Sequence, residues 1–147
     1  MGLTGANWRP ITAHEDFYDK LCSKEINFVG GKLYLFGIAI ALGFILGKRS
    51  TQISTMENGM FYPFQSYQDT EKYPVFLELL DYVFDHYAEG TNERAKHKDI
   101  EKIADGGIEF LMEEFDKQPG KKSVDLSSVI MDIKETLEKQ ESNNSNN

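Results

Sequence analysis

The residues with most capacity for chemistry are concentrated in one segment, which contains Asp81, Asp85, His86 and Glu89. Carboxylates and imidazoles are common ligands of divalent metal ions, so a metal site is the first chemistry to consider. In a helix, Asp81 and Asp85 lie on one face with Glu78, whereas His86 lies about 100° away from Asp85 around the axis. The pattern therefore favours a solvated acidic face over a metal site.

Other nucleophiles and bases do not form a catalytic set. Cys22 is the single cysteine, which excludes an internal disulfide and a cysteine-based zinc cluster, and we expect it to be a half-buried helix residue. His14 stands beside a helix start, where a local role is the simpler interpretation. No phosphate-binding glycine loop or nucleophile elbow occurs. We predict no catalytic, cofactor-binding or metal-binding residues, and expect a non-enzymatic protein without a cofactor.

The charge balance argues against nucleic acid as the main partner. The 147 residues carry a net charge of −8, with a pI near 4.9, whereas phosphate backbones are bound by clustered lysine and arginine. Basic residues occur only as small groups, among them Lys48–Arg49 and Lys121–Lys122. These four residues would make the contacts if the protein were a DNA-associated regulator, which is our alternative hypothesis.

Apolar periodicity predicts a mainly α fold, a compact domain of about five helices. The predicted helices span about 13–25, 33–47, 74–89, 92–118 and 126–140. An extended arm, 1–11, precedes this single domain, 12–140, and a disordered polar tail, 141–147, follows it. Thr12 and Glu15 match a capping box at the start of the first helix. The stripe of helix 126–140 can close the chain's own core or that of a dimer, so the oligomeric state stays open.

The helix at 33–47 is apolar on every side, and we predict that it forms the centre of the core. Its fifteen residues span roughly 22 Å, which is short of the ~30 Å hydrocarbon layer of a bilayer. A small membrane-anchored protein that uses 28–47 as its span is a second alternative.

Glycines in the fourth helix interrupt a regular apolar stripe. The stripe contains Ile100, Ile103, Ala104, Gly107, Ile108, Leu111 and Phe115. A helical glycine costs about 1 kcal/mol relative to alanine, so Gly107 indicates the close approach of a neighbouring helix. Helix 33–47, which carries glycines of its own, is the predicted neighbour. The helix at 74–89 has an inner face of Phe76, Leu79, Leu80, Val83, Phe84 and Tyr87.

An irregular aromatic loop separates the second and third helices, within residues 48–71. It carries Phe61, Tyr62, Phe64 and Tyr67. Aromatic residues in a loop either cover the core or form an exposed contact surface. We predict these four as the partner-binding residues.

Three segments resemble a known family when taken together. They are Phe36–Gly–Ile–Ala–Ile–Ala–Leu–Gly–Phe44 followed by Gly47–Lys–Arg49, the aromatic loop, and Ile103–Ala–Asp–Gly–Gly–Ile–Glu–Phe–Leu111. Their order resembles the small proteins associated with bacterial DNA phosphorothioation (Dnd) systems. The resemblance implies an accessory subunit of an anti-phage defence or restriction system that acts through larger protein partners, and it brings no catalytic residues.

These observations lead us to expect a non-enzymatic adaptor whose aromatic loop 56–67, C-terminal helix or acidic helix face docks a partner. With no basic start followed by an apolar run at residues 1–10, we expect a cytoplasmic location.

Overall fold

Four α-helices form the regular structure in this computed structural model, which describes residues 7–23, 31–60 and 74–117. Helix α1 spans Glu15–Leu21, α2 spans Gly31–Leu46, α3 spans Pro74–His86 and α4 spans Glu93–Asp116. No strand occurs within these ranges, and the predicted mainly α fold is confirmed. The predicted fifth helix, 126–140, and the tail, 141–147, lie outside the described residues.

The start of α4 follows a standard capping pattern. The side chain of Asn92 accepts a hydrogen bond from the N–H of Ala95 at 2.8 Å, which satisfies a donor that has no partner within the helix. This bond fixes the first turn of the longest helix in the described chain.

The predicted capping box at α1 is wrong. Helix α1 begins at Glu15, its N-cap is His14, and no side chain caps it. The Thr12 hydroxyl instead accepts the N–H of His14 at 3.0 Å and donates to the carboxylate of Asp105 on α4. In a capping box the threonine oxygen would accept a backbone N–H of the first helical turn. Here that oxygen accepts the N–H of His14, and the hydroxyl proton makes a charge-assisted bond to a buried carboxylate.

The most extensive contact in the fold is the crossing of α2 and α4, and it is built on two glycines. A Cβ atom on Gly107 would lie 1.9 Å from the carbonyl oxygen of Ala39 in α2. A Cβ atom on Gly43 would lie 2.0 Å from the carbonyl oxygen of Ile103 in α4. The backbones of the two helices are therefore in direct contact. The predicted approach of helix 33–47, which is α2, to Gly107 is confirmed.

The core of the described chain lies around this crossing. It contains side chains from the arm and from all four helices: Trp8, Phe17, Tyr18, Leu21, Leu33, Leu35, Phe36, Ala39, Ile40, Leu42, Leu80, Val83, Phe84, Ile100, Ile103, Ala104, Ile108 and Leu111. The apolar stripe predicted for α4 is buried from Ile100 to Leu111. Phe115, at its end, is partly buried and packs against the core. Helix α2 contacts α1, α3 and α4.

Two helix faces differ from the sequence expectation. On α2, Tyr34 and Ile45 are 38% and 37% exposed, so that helix is not covered on every side. On α3, Leu80, Val83 and Phe84 are buried as predicted, but Leu79 is on the exposed side. No helix in the described ranges is both long enough and apolar enough to cross a membrane.

Substitution of Gly107 by alanine tests the glycine crossing. Alanine would add about 1 kcal/mol of stability if space were available, because it favours the helix. With a backbone oxygen at 1.9 Å, we expect G107A instead to lower the free energy of unfolding by about 1–3 kcal/mol or more, measured by urea denaturation. Lys102→Ala, on an exposed position of α4, is the control and should change stability by less than about 0.5 kcal/mol. A stabilised G107A would contradict the close crossing.

Candidate functional site

Three carboxylates on one side of α4 contact residues 8–14, which comprise the end of the arm and the chain up to α1, and Ser50 in the loop after α2. Glu101, Asp105 and Glu109 are spaced four residues apart, which places them in a row along the helix. We call these three residues the acceptor row. Each accepts hydrogen bonds from residues more than fifty positions away in the chain.

Glu101 binds the N-terminal arm at Trp8 and Ile11. One carboxylate oxygen accepts the indole N–H of Trp8 at 3.1 Å and the backbone N–H of Ile11 at 3.0 Å. The Trp8 ring stacks on His97, with ring centres 4.3 Å apart and planes 6° from parallel. Burial raises the pKa of Glu101, and the two hydrogen bonds oppose that rise. Burial lowers the pKa of His97, because its charged form would lose solvation.

Asp105 is the most buried member of the row, at 5% exposure. Its two oxygens accept the hydroxyl of Thr12 and the backbone N–H of Ala13, the latter at 2.9 Å. Burial raises the pKa of Asp105, while the bonds from Thr12 and Ala13 lower it in part. Tyr18 lies near this carboxylate, and its pKa is raised well above the ordinary value by burial and by the charge of Asp105.

Glu109 joins the N-cap of α1 to the loop after α2. Its Oε2 atom lies 2.8 Å from Nε2 of His14 and also accepts the hydroxyl of Ser50. A hydroxyl, an imidazole and a carboxylate are the parts of a nucleophilic site. Here, however, the serine and the histidine each bind the carboxylate, and Ser50 is only 5% exposed. The arrangement therefore fastens two segments together and does not present a nucleophile to a substrate.

Further bonds join the loop to the arm. The hydroxyl of Ser54 donates to the Thr12 carbonyl at 2.7 Å, and the N–H of Thr12 points to the sulfur of Met56 at 3.4 Å. The N–H of Met60 donates to the Pro10 carbonyl at 2.9 Å. The arm, the loop and α4 thus form one hydrogen-bonded unit.

A cavity of about 310 Å³ lies beside this unit, at the start of α1. Its lining combines apolar and acidic side chains: Thr12, Ala13, His14, Glu15, Asp16, Phe17, Thr55, Met56 and Met112. Small-molecule pockets in proteins begin at about this volume.

The predicted nucleic-acid residues separate into two groups. Lys121 and Lys122 lie outside the described residues. Arg49 forms a two-pronged ion pair with Asp99, at 2.9 and 3.0 Å, which raises the arginine pKa. Its guanidinium also lies 4.7 Å from the ring centre of Tyr87. Lys48 is exposed, with its ammonium 5.3 Å from the ring of Phe110.

The predicted partner-binding residues Phe61, Tyr62, Phe64 and Tyr67 lie outside the described residues. The acidic face of α3 is described: Glu78 and Asp85 are exposed, and Asp81 is half-buried. Across residues 7–23, 31–60 and 74–117, no three histidine, cysteine, aspartate or glutamate side chains converge on a point where a metal could bind.

An aromatic surface is exposed where α3 meets α2. Leu79, Tyr82 and His86 share one face of α3, and Tyr82 is 54% exposed. The Tyr82 ring lies 4.7 Å from His86 and 6.5 Å from Phe44 of α2, measured between ring centres. We call Phe44, Leu79, Tyr82 and His86 the outer aromatic surface.

The sequence analysis missed the acceptor row. Its signal is the four-residue spacing of Glu101, Asp105 and Glu109 beside the apolar stripe of α4, which brings carboxylates to the edge of the core. The donors could not be identified in the same way, because they come from distant segments.

Comparisons with known proteins supply no further guide. No family model, no curated protein and no solved structure matches this chain.

Replacement of Thr12 by valine tests the bond to Asp105. Valine keeps the shape of threonine but removes the hydroxyl, which leaves one oxygen of a buried carboxylate without its donor. We expect T12V to lower the free energy of unfolding by about 1–3 kcal/mol in urea denaturation at neutral pH. Thr55→Val removes an exposed hydroxyl and should be nearly neutral. Equal stabilities for the two variants would contradict a structural role of the row.

The pH dependence of stability tests the burial of Asp105. Because its pKa is raised in the folded protein, Asp105 binds its proton more tightly when folded than when unfolded. Its stabilising contribution is complete below the unfolded pKa, about 4, and is lost as the pH rises through the folded pKa. The unfolding free energy of the wild type should therefore fall relative to that of Asp105→Asn as the pH rises from about 3 to 7. Comparison with this variant cancels the opposite contribution of His97. A rising difference would contradict the raised pKa.

Proposed function

We propose that this protein is a non-enzymatic adaptor that binds another protein through its outer aromatic surface. The observation that carries the proposal is the exposure of Tyr82, a large aromatic side chain 54% accessible beside Leu79 and Phe44. Tyrosine is enriched among the residues that dominate binding energies at protein interfaces, because it buries much area and loses little conformational entropy.

The negative charges around the outer aromatic surface favour a positively charged partner. Glu78 and Asp85 are exposed on either side of Tyr82, and Glu89 follows at the end of α3. A second copy of the chain would bring the same acidic groups together, which costs free energy. The occupant we propose is a segment of a different protein that presents apolar side chains flanked by lysine or arginine.

The internal use of the reactive groups supports a non-enzymatic role. Ser50 and Asp105 are each only 5% exposed, and His14 is paired with Glu109. Groups held in this way stabilise the fold, and substrates cannot reach Ser50 or Asp105.

The wider setting of the proposal follows from the resemblance and from the sequence. We propose an accessory subunit of a bacterial anti-phage defence or restriction system linked to DNA phosphorothioation, located in the cytoplasm. Its partner would be a larger subunit of that system. We further propose that helix 126–140 is the fifth helix of a domain centred on α2, and that Phe61, Tyr62, Phe64 and Tyr67 extend the contact.

Direct DNA binding has weaker support. Arg49 is one of the four basic residues on which that alternative depends. Its Nε and Nη2 atoms donate to Asp99, and its Nη1 atom donates to the Tyr87 hydroxyl at 3.3 Å. A phosphate would have to compete with a carboxylate that is only 8% exposed. Lys48 alone would then remain in the described chain from the predicted basic set.

The test compares Tyr82→Ser with Ile53→Ser. Ile53 is 87% exposed in the loop after α2, so its replacement removes a large apolar side chain away from the outer aromatic surface. Each tagged protein is purified from its native cells after nuclease treatment, and a partner identified with the wild type is then titrated against all three proteins. We expect Y82S to weaken binding at least tenfold, which is about 1.4 kcal/mol, and I53S to bind as the wild type does.

A second part of this test examines charge complementarity between the surface and the partner. The Glu78→Gln, Asp85→Asn double variant should bind the partner more weakly, and added salt should reduce the difference from the wild type. Failure to recover any stoichiometric partner, or equal binding by Y82S and the wild type, would overturn the proposal.

A further inference from the structure

The cavity beside α1 has an apolar floor that is separate from the outer aromatic surface. Phe17 is 8% exposed, and it packs edge-on against Phe115 with ring centres 6.0 Å apart. Met56 and Met112 line the same cavity and are half-buried. Thioether side chains are flexible and polarisable, so they adapt to an inserted alkyl chain. The floor therefore suits a ligand with an apolar stem.

The mouth of the cavity is acidic. Glu15 and Asp16, in the first turn of α1, are exposed lining residues. Neither is ion-paired with another residue of the described chain. Among the residues that the structure describes, no lysine or arginine lines the cavity. A ligand that carries positive charge is therefore favoured at the mouth.

The positive end of α1 and the His14 ring do not cancel this preference. The N-terminal end of a helix carries at most about half a positive charge, and the two carboxylates together carry about four times as much negative charge. His14 lines the cavity, but its Nε2 atom is 2.8 Å from Glu109, so a proton on this ring is balanced by that carboxylate. An anionic ligand would meet repulsion from both carboxylates at the mouth.

We propose that this cavity binds an organic cation composed of a short alkyl stem and a terminal guanidinium or primary ammonium group. The stem lies on Phe17, Met56 and Met112, and the cationic head is held by Glu15 and Asp16. The volume of about 310 Å³ accommodates a ligand of this size with water around its head. Such a cation has two sources, an arginine or lysine side chain of a protein partner or a free small amine.

Titration of the full-length protein with n-butylguanidinium and n-butylammonium tests the site. The readout is the NMR signals of the methionine methyl groups, because Met56 and Met112 lie in the floor. We expect saturable shifts of these two signals with both cations. The neutral isostere n-butanol should bind at least tenfold more weakly, because it lacks the charge that the mouth recognises.

Two double variants separate the mouth from general surface charge. Glu15→Gln with Asp16→Asn removes the charges at the mouth and keeps the side-chain shapes, and we expect at least a tenfold loss of affinity for both cations. Glu89→Gln with Glu93→Gln removes two exposed carboxylates and should leave affinity unchanged. Glu93 lies nineteen residues before Met112 on α4, which corresponds to roughly 28 Å along the helix. Equal binding by both double variants, or by n-butanol and the cations, would overturn the proposal.

Partner titration distinguishes the two sources of the cation. If a partner supplies the side chain, the Glu15, Asp16 double variant also weakens partner binding. If that variant binds the partner normally but has lost n-butylammonium, the ligand is a free amine. Tyr82→Ser should bind both probes as the wild type does, so failure of the adaptor proposal and failure of this site are separately visible.

Discussion

The contact between α2 and α4 is the constraint on which the described fold depends. At this crossing the space for a Cβ atom is occupied by the carbonyl oxygens of Ala39 and Ile103, so only glycine fits at positions 107 and 43. Two backbones at this distance gain dispersion contacts along their length. A Cβ on Gly106 would lie 2.7 Å from the Lys48 carbonyl, so a further glycine admits the chain that leaves α2. That chain is then directed past α4 towards Ser50.

The acceptor row follows from this placement. With one side of α4 pressed on α2, the adjacent side brings Glu101, Asp105 and Glu109 to the arm and the loop. Removing carboxylates from water is costly unless donors replace the water, and indole, hydroxyl, imidazole and backbone groups do so here. Burial raises the pKa of Glu101 and of Asp105, and the hydrogen bonds to each carboxylate oppose that rise. The row is thus a structural fastener, held together by bonds between segments far apart in sequence.

This internal use of charge affects which surfaces remain for partners. The negative charges of the row are largely covered, whereas those of α3 and of the first turn of α1 face solvent. Both regions place these carboxylates beside aromatic or thioether side chains, at the exposed Tyr82 in one case and at the buried Phe17 and half-buried Met112 in the other. We propose that both bind positively charged groups attached to apolar ones, which fits a chain with a net charge of −8.

By itself the sequence determined the four described helices and the buried stripe of α4, because a 3.6-residue period is visible in Ile100, Ile103, Ala104, Ile108 and Leu111 whatever packs against them. It also identified Gly107 as a point of close approach, since a mid-helix glycine is unfavourable without a neighbour that needs the space. Only the tertiary structure decided the rest. Thr12 binds Asp105 and does not cap α1, Arg49 pairs with Asp99, and Leu79 is exposed beside Tyr82. Each outcome depends on a group brought near by folding, and local periodicity contains no information about which distant donor or acceptor that group will be.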